Sequence, residues 1–294
     1  MELYPACVTC VINNLLHVAE RVLPDPQDQM TLLREVMERS VPELTTCSSA
    51  PVLTGIGYSV LREMSGVEDP FLEVKKKFNR LMLDIEDRYQ EMVEQRDDPV
   101  HAALVAAGSA NLIDFGAFRE VSMERVLDIL SHHLDNTDLS DDTYSAFLRL
   151  IKREKQLLIL CDNCGEIVLD KILIRELKKI IPDIQVTCAV RGRPILNDAT
   201  LEDAGEVGLP TLCNVISSGS EIPGTIHQDC SSDFQKIFRE SPVILAKGVG
   251  NFECADFGDE RIFFLFIVKC STLSGNLEVP LNTLIFQQGR GSLL

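Results

Sequence analysis

Apolar residues in the first half of the chain recur three and four positions apart. The clearest stretch covers residues 71–93, where the positions between the apolar ones are largely charged. This spacing is typical of an amphipathic helix that buries one face. Shorter stretches of the same kind lie near residues 8–22, 27–40, 52–64, 99–113, 121–134 and 140–152. The pattern therefore predicts that residues 1–150 are mostly helical.

From about residue 155, short apolar runs alternate with helical patterns. The runs predict strands at residues 157–161, 184–190, 211–216, 243–246 and 262–268, with helices at about 165–181, 197–207 and 230–239. This alternation is typical of a mostly parallel sheet with crossover helices. We therefore predict an α/β fold, divided into a helical N-terminal region over residues 1–100 and an α/β domain over residues 101–294. Residues after about 275 carry no pattern that we can interpret.

Composition narrows the class of protein. The 294 residues are 45% hydrophobic, which is ordinary for a globular protein, and their formal net charge is −17. So acidic a chain argues against nucleic acid or an anionic membrane surface as the main partner. No apolar run reaches the roughly 18 residues of a membrane-spanning helix, and the N-terminus lacks a signal-peptide pattern. We expect a cytoplasmic protein, and the sequence does not indicate its oligomeric state.

Hard oxygen donors follow the first two predicted strands. Asp162 and Asn163 come directly after the first strand, and Asp198 comes shortly after the second. In an open α/β sheet, ligands collect beyond the carboxyl ends of the strands. Carboxylate and amide oxygens are suited to Mg²⁺, Mn²⁺ or similar ions, so these side chains are candidate metal ligands. The same residue types also favour turns and helix caps, and this segment alone does not separate the two interpretations.

Residues suited to phosphate lie at the same predicted edge. Guanidinium groups match phosphate oxygens, glycines allow backbone N–H groups to cradle an anion, and a lysine adds a positive charge. The candidate phosphate-binding residues are Arg191, Arg193, Ser218, Gly219, Lys247, Gly248 and Asn251. A single glycine-rich loop is usually only a turn, but four successive strand ends carry residues of this kind. Together they favour a binding site over a set of unrelated turns.

The order of these motifs resembles a known family. The matching segments are Tyr4-Pro5-x-Cys7-x-x-Cys10, Gly108 to Gly116, Asp162-Asn163-x-Gly165-Glu166, Arg193-Pro194-x-x-Asn197-Asp198, Ser218-Gly219 through Pro223-Gly224, and Lys247-Gly248-x-Gly250-Asn251-Phe252-Glu253. They resemble the damage-control phosphatases, long called a domain of unknown function, and in particular the prokaryotic, cysteine-containing branch. The resemblance extends from residue 4 to about residue 270. One departure is the pair Ser109-Ala110 between Gly108 and Asn111, where the family pattern is tighter.

The resemblance implies a Rossmann-like sheet behind a helical N-terminal region. It also implies a divalent metal held by Asp162, Asn163 and Asp198, with Mg²⁺, Mn²⁺, Co²⁺ and Ni²⁺ not distinguished. The expected activity is hydrolysis of small phosphate monoesters, such as sugar phosphates or damaged phosphometabolites. Lys247 would bind the transferring phosphoryl group. Two more residues, Asn111 and Asp114, would approach from the helical side.

The chemistry of such a hydrolysis can be stated from the residues. Charge spreads over the equatorial oxygens of the phosphoryl group, and a divalent ion with Lys247 would neutralise it. The nucleophile is either water or the carboxylate of Asp162, and we favour water because a carboxylate committed to a metal is a poorer nucleophile. Glu253 or Asp114 would act as the base or orient the water, or else be structural.

Two other functional classes stay open at this point. A Rossmann-like sheet could hold S-adenosylmethionine for a carboxyl methyltransferase, but no Gly-x-Gly-x-x-Gly motif follows the first strand. A non-catalytic protein that binds a metal or a metabolite is the other class. The pairs Cys7/Cys10 and Cys161/Cys164 also allow a four-thiolate zinc site. For Cys7 and Cys10, burial, metal binding and a redox role are all left open.

Overall fold

Helices precede the first strand, as the apolar spacing predicts. The computed structural model describes residues 2–45, 48–112, 122–254 and 258–289. In these ranges, the helices before the sheet are α1 (Pro5–Val22), α2 (Pro26–Ser40), α3 (Ala50–Ser65), α4 (Leu72–Glu94), α5 (Pro99–Ser109), α6 (Met123–Asn136) and α7 (Asp141–Glu154). A short 3-10 helix, Ala110–Leu112, follows α5.

Local chemistry fixes several of these helix ends. The carboxylate of Asp98 accepts from the backbone N–H groups of Val100 and His101, and Pro99 occupies the first turn of α5. Ser122 caps α6 in the same way, through the backbone N–H of Arg125. Each cap satisfies donors that a helix start would otherwise leave unpaired.

Six strands form one sheet in the described part of the chain. The elements from residue 156 onward are β1 (Gln156–Leu160), α8 (Glu166–Ile180), β2 (Gln185–Val190), α9 (Leu201–Glu206), β3 (Asn214–Ser217), α10 (Ser232–Glu240), β4 (Ile244–Lys247), α11 (Gly248–Cys254), β5 (Ile262–Ile267), α12 (Ser271–Leu277) and β6 (Leu284–Gln288). The strand order is β3-β2-β1-β4-β5-β6. The first five strands are parallel, and β6 pairs antiparallel with β5. This is the doubly wound order of Rossmann-like folds.

Helices cover both faces of the sheet. Helix α5 is buried from Val100 to Ser109 except at His101, and it packs against α8 and β5. The opposite face carries an apolar cluster that includes Phe234 of α10, Phe252 of α11 and Leu273 of α12. A third cluster joins α1, α2 and α3, which lie beyond the carboxyl ends of the strands, where α3 contacts α11. No helix in the described ranges is long and apolar enough to cross a membrane.

The predicted fold class is confirmed, with differences at particular elements. The predicted strand at 211–216 begins only at Asn214, because Leu209–Thr211 closes a 3-10 turn. The predicted helix at 99–113 ends at Ser109. Strand β6 was not predicted, and it lies in the stretch after residue 275 that gave no interpretable pattern. Its residues are only partly buried apart from Phe286, so they lack the apolar run of the central strands.

Candidate active site

The site begins where the strand order reverses, between β1 and β4. Asp162 follows β1, and Gly248 follows β4. A Cβ atom on Gly248 would lie 2.1 Å from the Oδ2 atom of Asp162, and the φ angle of Gly248 is +80°. Both facts require glycine at this position, because only glycine adopts this backbone freely and leaves room for the carboxylate. Ligands in doubly wound folds bind at such a reversal.

The loops after β1 and β2 are bound to each other. Asn163 and Asp198 form an isolated antiparallel bridge, and the N–H of Ala199 donates to the carbonyl oxygen of Asp162 at 2.8 Å. The Asn163 amide nitrogen donates to Asp162 at 2.8 Å and to Glu166 at 2.9 Å. The three predicted metal ligands, Asp162, Asn163 and Asp198, are therefore brought together.

Both carboxylates of this set are held in a low-dielectric environment. Asp162 is 7% exposed and Asp198 is 2% exposed. Burial, followed by repulsion from Glu166 and Asp198, raises the pKa of Asp162 well above its usual range. Burial also raises the pKa of Asp198, although the Nε–H of Arg191 donates to its carboxylate at 2.6 Å. A cation placed between the two carboxylates would therefore stabilise their ionised forms.

A divalent cation fits these donors. The nitrogen of Asn163 makes both of the amide's hydrogen bonds to carboxylates, and its Oδ1 atom takes part in neither. Together with Asp162 and Asp198, that oxygen gives a small set of hard ligands that leaves positions for water or substrate. In the described ranges no three His, Cys, Asp or Glu side chains form a ligand set by themselves. The candidate set therefore consists of two carboxylates and the amide of Asn163.

Arg191 and Asn251 form a buried frame behind the carboxylates. The Arg191 guanidinium donates to Asp198, to the carbonyl oxygen of Gly224 at 2.9 Å and to Asn251 at 3.3 Å. Asn251 in turn donates to the backbone oxygen of Lys247 at 2.6 Å. These bonds join the loops that follow β2, β3 and β4. Arg191 and Asn251 therefore hold the site together from behind and do not line the cavity in front of it.

Lys247 is also placed behind the site. Its side chain is fully buried, and its Nζ donates to Asp170 at 2.7 Å and to Glu166 at 3.4 Å. Burial alone would lower the pKa of Lys247, but the adjacent carboxylates of Asp170 and Glu166 outweigh burial and raise it. In this arrangement Lys247 neutralises carboxylates of α8, and it does not line the cavity.

Three other predicted phosphate ligands lie outside the cavity. Arg193 is exposed and forms ion pairs with Glu68 at 2.5 Å and with Glu221 at 3.3 Å. Ser218 is buried, and its backbone N–H donates to Val190, while Gly219 packs closely against Gly192. In the structure these three residues make contacts that hold loops together.

A cavity of about 360 Å³ opens in front of Asp162, Asn163 and Asp198. Its other walls come from α1, α3, α11 and α12 and from the loops after β2, β3 and β5. The wall residues are Ala6, Cys7, Cys10, Val11, Asn14, Ala50, Pro51, Thr54, Leu196, Pro223, Val249, Gly250, Glu253, Lys269, Cys270, Thr272 and Leu273. The cavity size is in the range of pockets for small organic ligands.

Lys269 is a cavity residue that the sequence reasoning missed. It follows β5 by two residues and brings a positive charge to the cavity that also exposes Asp162 and Asp198. A signal was present in the sequence, because Lys269 comes immediately after the apolar run at 262–268. The strand-end reasoning used for the other strands applies to it equally.

Glu253 lines the same cavity, as its predicted catalytic role requires. Burial raises the pKa of Glu253 to about 7. A carboxylate with a pKa near neutrality is suited to proton transfer. Asn111 lies in the 3-10 helix after α5, and that helix packs against α8 and β5. The predicted residue Asp114 lies outside the described residues.

The two cysteine pairs occupy different surroundings. Cys7 and Cys10 line the cavity together with Cys270, whereas Cys161 and Cys164 are each 1% exposed in the core. Cys164 directs its thiol to the backbone oxygen of Asp198 at 3.8 Å. These four described cysteines do not form a metal-binding group. The hypothesis of a four-thiolate zinc site is therefore not supported.

The fold and the site define a Rossmann-like α/β protein with an acidic, oxygen-rich site at the strand-order reversal. The family model described as "Damage-control phosphatase ARMT1-like domain" matches residues 3–285. The chain therefore belongs to the damage-control phosphatase family, and the resemblance noted from its motifs is confirmed.

Full-length relatives agree with this assignment. The chain is 32% identical over 289 residues to an uncharacterized protein of Methanocaldococcus jannaschii, covering 95% of this chain and 93% of that protein. It is 30% identical to a damage-control phosphatase of Pyrococcus horikoshii, with 100% of both chains covered. A damage-control phosphatase of Archaeoglobus fulgidus is 29% identical, with 97% of this chain and 98% of that protein covered. These names support a phosphatase role for the chain.

A solved structure shows the same fold. The crystal structure of a DUF89 family protein from Pyrococcus horikoshii superposes with a TM-score of 0.87 at 29% sequence identity. The superposition covers 99% of this chain and 100% of that one. The helical N-terminal region and the sheet are therefore both shared with this relative.

Proposed function

We propose that the protein is a metal-dependent phosphatase that hydrolyses small phosphate monoesters. The observation that carries the proposal is the pair of buried carboxylates, Asp162 and Asp198, which lie with Asn163 at the edge of a cavity that Lys269 also lines. Burial and mutual repulsion disfavour the ionised forms of these carboxylates, a divalent cation between them would offset that repulsion, and the cavity gives a small ligand access to the ion.

The ion would be held by Asp162, Asn163 and Asp198, and Mg²⁺, Mn²⁺, Co²⁺ or Ni²⁺ all suit such donors. When bound, a divalent ion offsets the negative charge that develops on the phosphoryl oxygens. Of the two lysines at neighbouring strand ends, Lys269 faces the cavity and Lys247 does not. We therefore assign contact with the phosphoryl group to Lys269 and assign Lys247 to the framework behind the metal ligands.

In the proposed reaction, water attacks phosphorus while the bond to the ester oxygen breaks. A carboxylate accepts a proton from the water and returns it to the departing ester oxygen, so the products are inorganic phosphate and the free alcohol. Glu253 is the candidate for that base, because it lines the cavity and burial raises its pKa to about 7. The organic group of the substrate would occupy the part of the cavity formed by α1 and α3. A volume of about 360 Å³ limits that group to small metabolites.

The test is phosphate release by chelated protein that has been reloaded with one divalent metal at a time. p-Nitrophenyl phosphate and a panel of small phosphate monoesters would serve as substrates. We expect release only after reloading, with one or two of the four metals clearly preferred. Release that is unaffected by chelation would contradict the proposed metal dependence.

The methyltransferase alternative is not favoured. A carboxyl methyltransferase would need S-adenosylmethionine, and the first strand is followed by Asp162-Asn163 and not by a glycine-rich dinucleotide motif. Calorimetric titration of the chelated protein with S-adenosylmethionine provides the corresponding test. We expect no heat of binding beyond dilution.

A further inference from the structure

Leu196 has an unusual backbone conformation. Its φ angle is +49°, in the left-handed region that favours glycine and asparagine. The residue lies in a turn that the N–H of Asp198 closes by donating to the carbonyl oxygen of Ile195 at 3.1 Å. Asp198, a candidate metal ligand, is the last residue of this turn. A turn whose first central residue has positive φ usually has Gly, Asn or Asp at that position. A leucine there is under strain that surrounding contacts must offset.

The side chain of Leu196 meets two environments. It packs against the apolar cluster of α1, α2 and α3, and it forms part of the cavity wall next to Asp198. Asparagine would satisfy the backbone better but would give the cavity a polar wall. Leu196 therefore makes this wall apolar, although its backbone conformation is unfavourable for leucine.

Much of the remaining cavity wall is also apolar. Aliphatic side chains on the cavity surface include Val11, Pro51, Pro223, Val249 and Leu273.

The polar groups on this part of the wall are partly engaged within the protein. The hydroxyl of Thr54 donates to the backbone oxygen of Ala50 at 3.0 Å. The amide of Asn14 donates to the thiol of Cys10 at 3.7 Å. A leaving group with several hydroxyls would meet mostly aliphatic and thiol side chains in this space, and polar groups buried without a partner are costly.

We propose that Leu196 is a specificity-determining residue and that the cavity selects phosphate monoesters whose organic group is compact and apolar, in preference to polyhydroxylated sugar phosphates. The inference rests on the proposed phosphatase function and narrows its substrate class. The phosphoryl group lies toward Asp162, Asp198 and Lys269, and the organic group lies against Leu196 and the walls of α1 and α3.

The experiment compares two esters with the same six-membered carbon ring, cyclohexyl phosphate and myo-inositol 1-phosphate. Protein loaded with each divalent metal is assayed, and kcat/KM is measured for any ester that is hydrolysed. For an ester that is not hydrolysed, the dissociation constant is measured by isothermal titration calorimetry. We expect cyclohexyl phosphate to be preferred by at least about tenfold, since pockets of this kind discriminate on that scale. An equal or reversed preference, or binding of neither ester, would overturn the inference.

Variants at Leu196 distinguish the effect of side-chain polarity from the effect of backbone strain. Leu196→Asn introduces a residue that tolerates positive φ, and we expect the preference for cyclohexyl phosphate to fall by about tenfold without loss of thermal stability. Leu196→Gly removes the backbone strain without adding a polar side chain. Its preference for cyclohexyl phosphate should lie between those of wild type and Leu196→Asn. Lys155→Asn changes a residue with φ +51° in an ion pair with Asp183, away from the cavity, and should leave the preference unchanged. A folded Leu196→Asn protein with the wild-type preference would contradict the role of Leu196.

The two hypotheses fail in different ways. Hydrolysis of both esters with inositol phosphate preferred would leave the phosphatase standing and overturn the substrate class. Selective binding of cyclohexyl phosphate without hydrolysis by any metal-loaded protein would support the apolar cavity and contradict the phosphatase.

Discussion

Two acidic clusters lie at the same edge of the sheet and differ in access. The outer cluster, Asp162 and Asp198 with Arg191, borders the cavity, whereas the inner cluster, Glu166 and Asp170 with Lys247, is closed off behind it. Each has two buried carboxylates and one basic side chain. The inner cluster obtains its positive charge from the protein alone, while the outer cluster is open to an ion from solution. Accessibility, and not residue type, therefore separates the candidate active site from its framework.

The largest expected effect comes from breaking the outer cluster. Asp162→Asn removes one metal-ligand carboxylate, and we expect phosphate release to fall by about 10⁴-fold. Calorimetric titration with the preferred metal should show weakened binding. The metal-free variant should be at least as thermally stable as wild type, because it loses a carboxylate whose ionisation burial and repulsion disfavour. If the variant bound the metal as tightly as wild type does, Asp162 would not be a metal ligand.

Breaking the inner cluster should instead affect stability. Lys247→Met leaves Glu166 and Asp170 buried without their basic partner, which we expect to lower the free energy of unfolding by about 3–5 kcal/mol. Urea denaturation measures the change. Adding Asp170→Asn should restore part of the loss, because it removes one of the stranded carboxylates. If Lys247→Met were as stable as wild type and raised KM for phosphate esters, Lys247 would be the phosphate ligand that its motif predicts.

Lys269 should behave in the opposite way to Lys247. Lys269→Gln removes positive charge from the cavity, and we expect kcat/KM to fall by about 10²-fold with little change in the free energy of unfolding. The matched control is Lys236→Gln, an exposed lysine on α10 that does not line the cavity. An unchanged kcat/KM in Lys269→Gln would show that another residue contacts the phosphoryl group.

The contrast between the two lysines shows how far the sequence could be interpreted. The strand ends were placed correctly, and Asp162, Asn163 and Asp198 come together, because short apolar runs locate parallel strands and parallel strands share one edge. Which way a lysine points is harder to derive. Lys247 and Leu245 share a face of β4, and that face is covered by α8, whose Asp170 and Glu166 meet the lysine. Only the packing of α8 on the sheet reveals this.

The contribution of α1 and α3 to the cavity walls could not be predicted from the sequence either. The apolar spacing identifies these helices but does not say where they lie relative to the sheet, since that depends on long-range packing. The positive φ of Leu196 was hidden for a similar reason, because leucine gives no signal of a left-handed turn. The position of the candidate oxygen ligands was therefore predictable, whereas the basic residue of the cavity and the shape of its organic-group pocket were not.

The smallest expected effect tests the electrostatics of the inner cluster through pH. Burial raises the pKa of Asp170 from an ordinary 3.8 to about 6. Between those pH values the folded protein holds a proton that the unfolded chain has lost. This contribution therefore favours folding at low pH and is lost as pH rises through about 6. The Asp170→Asn variant has no such group, so its free energy of unfolding should rise relative to wild type by about 1–2 kcal/mol from pH 4 to pH 7.

The matched control for that titration is Asp183→Asn on the surface. Lys155 lowers the pKa of Asp183, so the ionised Asp183 stabilises the folded protein above its ordinary pKa, and this stabilisation is lost as pH falls. The difference between the Asp183→Asn variant and wild type should therefore stay nearly constant from pH 4 to pH 7 and change only below about pH 4. Urea denaturation of metal-free protein at each pH gives both differences. A flat or falling difference for Asp170→Asn would show that Lys247 holds Asp170 ionised throughout, so the inner cluster would be a fully charged network and not a partly protonated one.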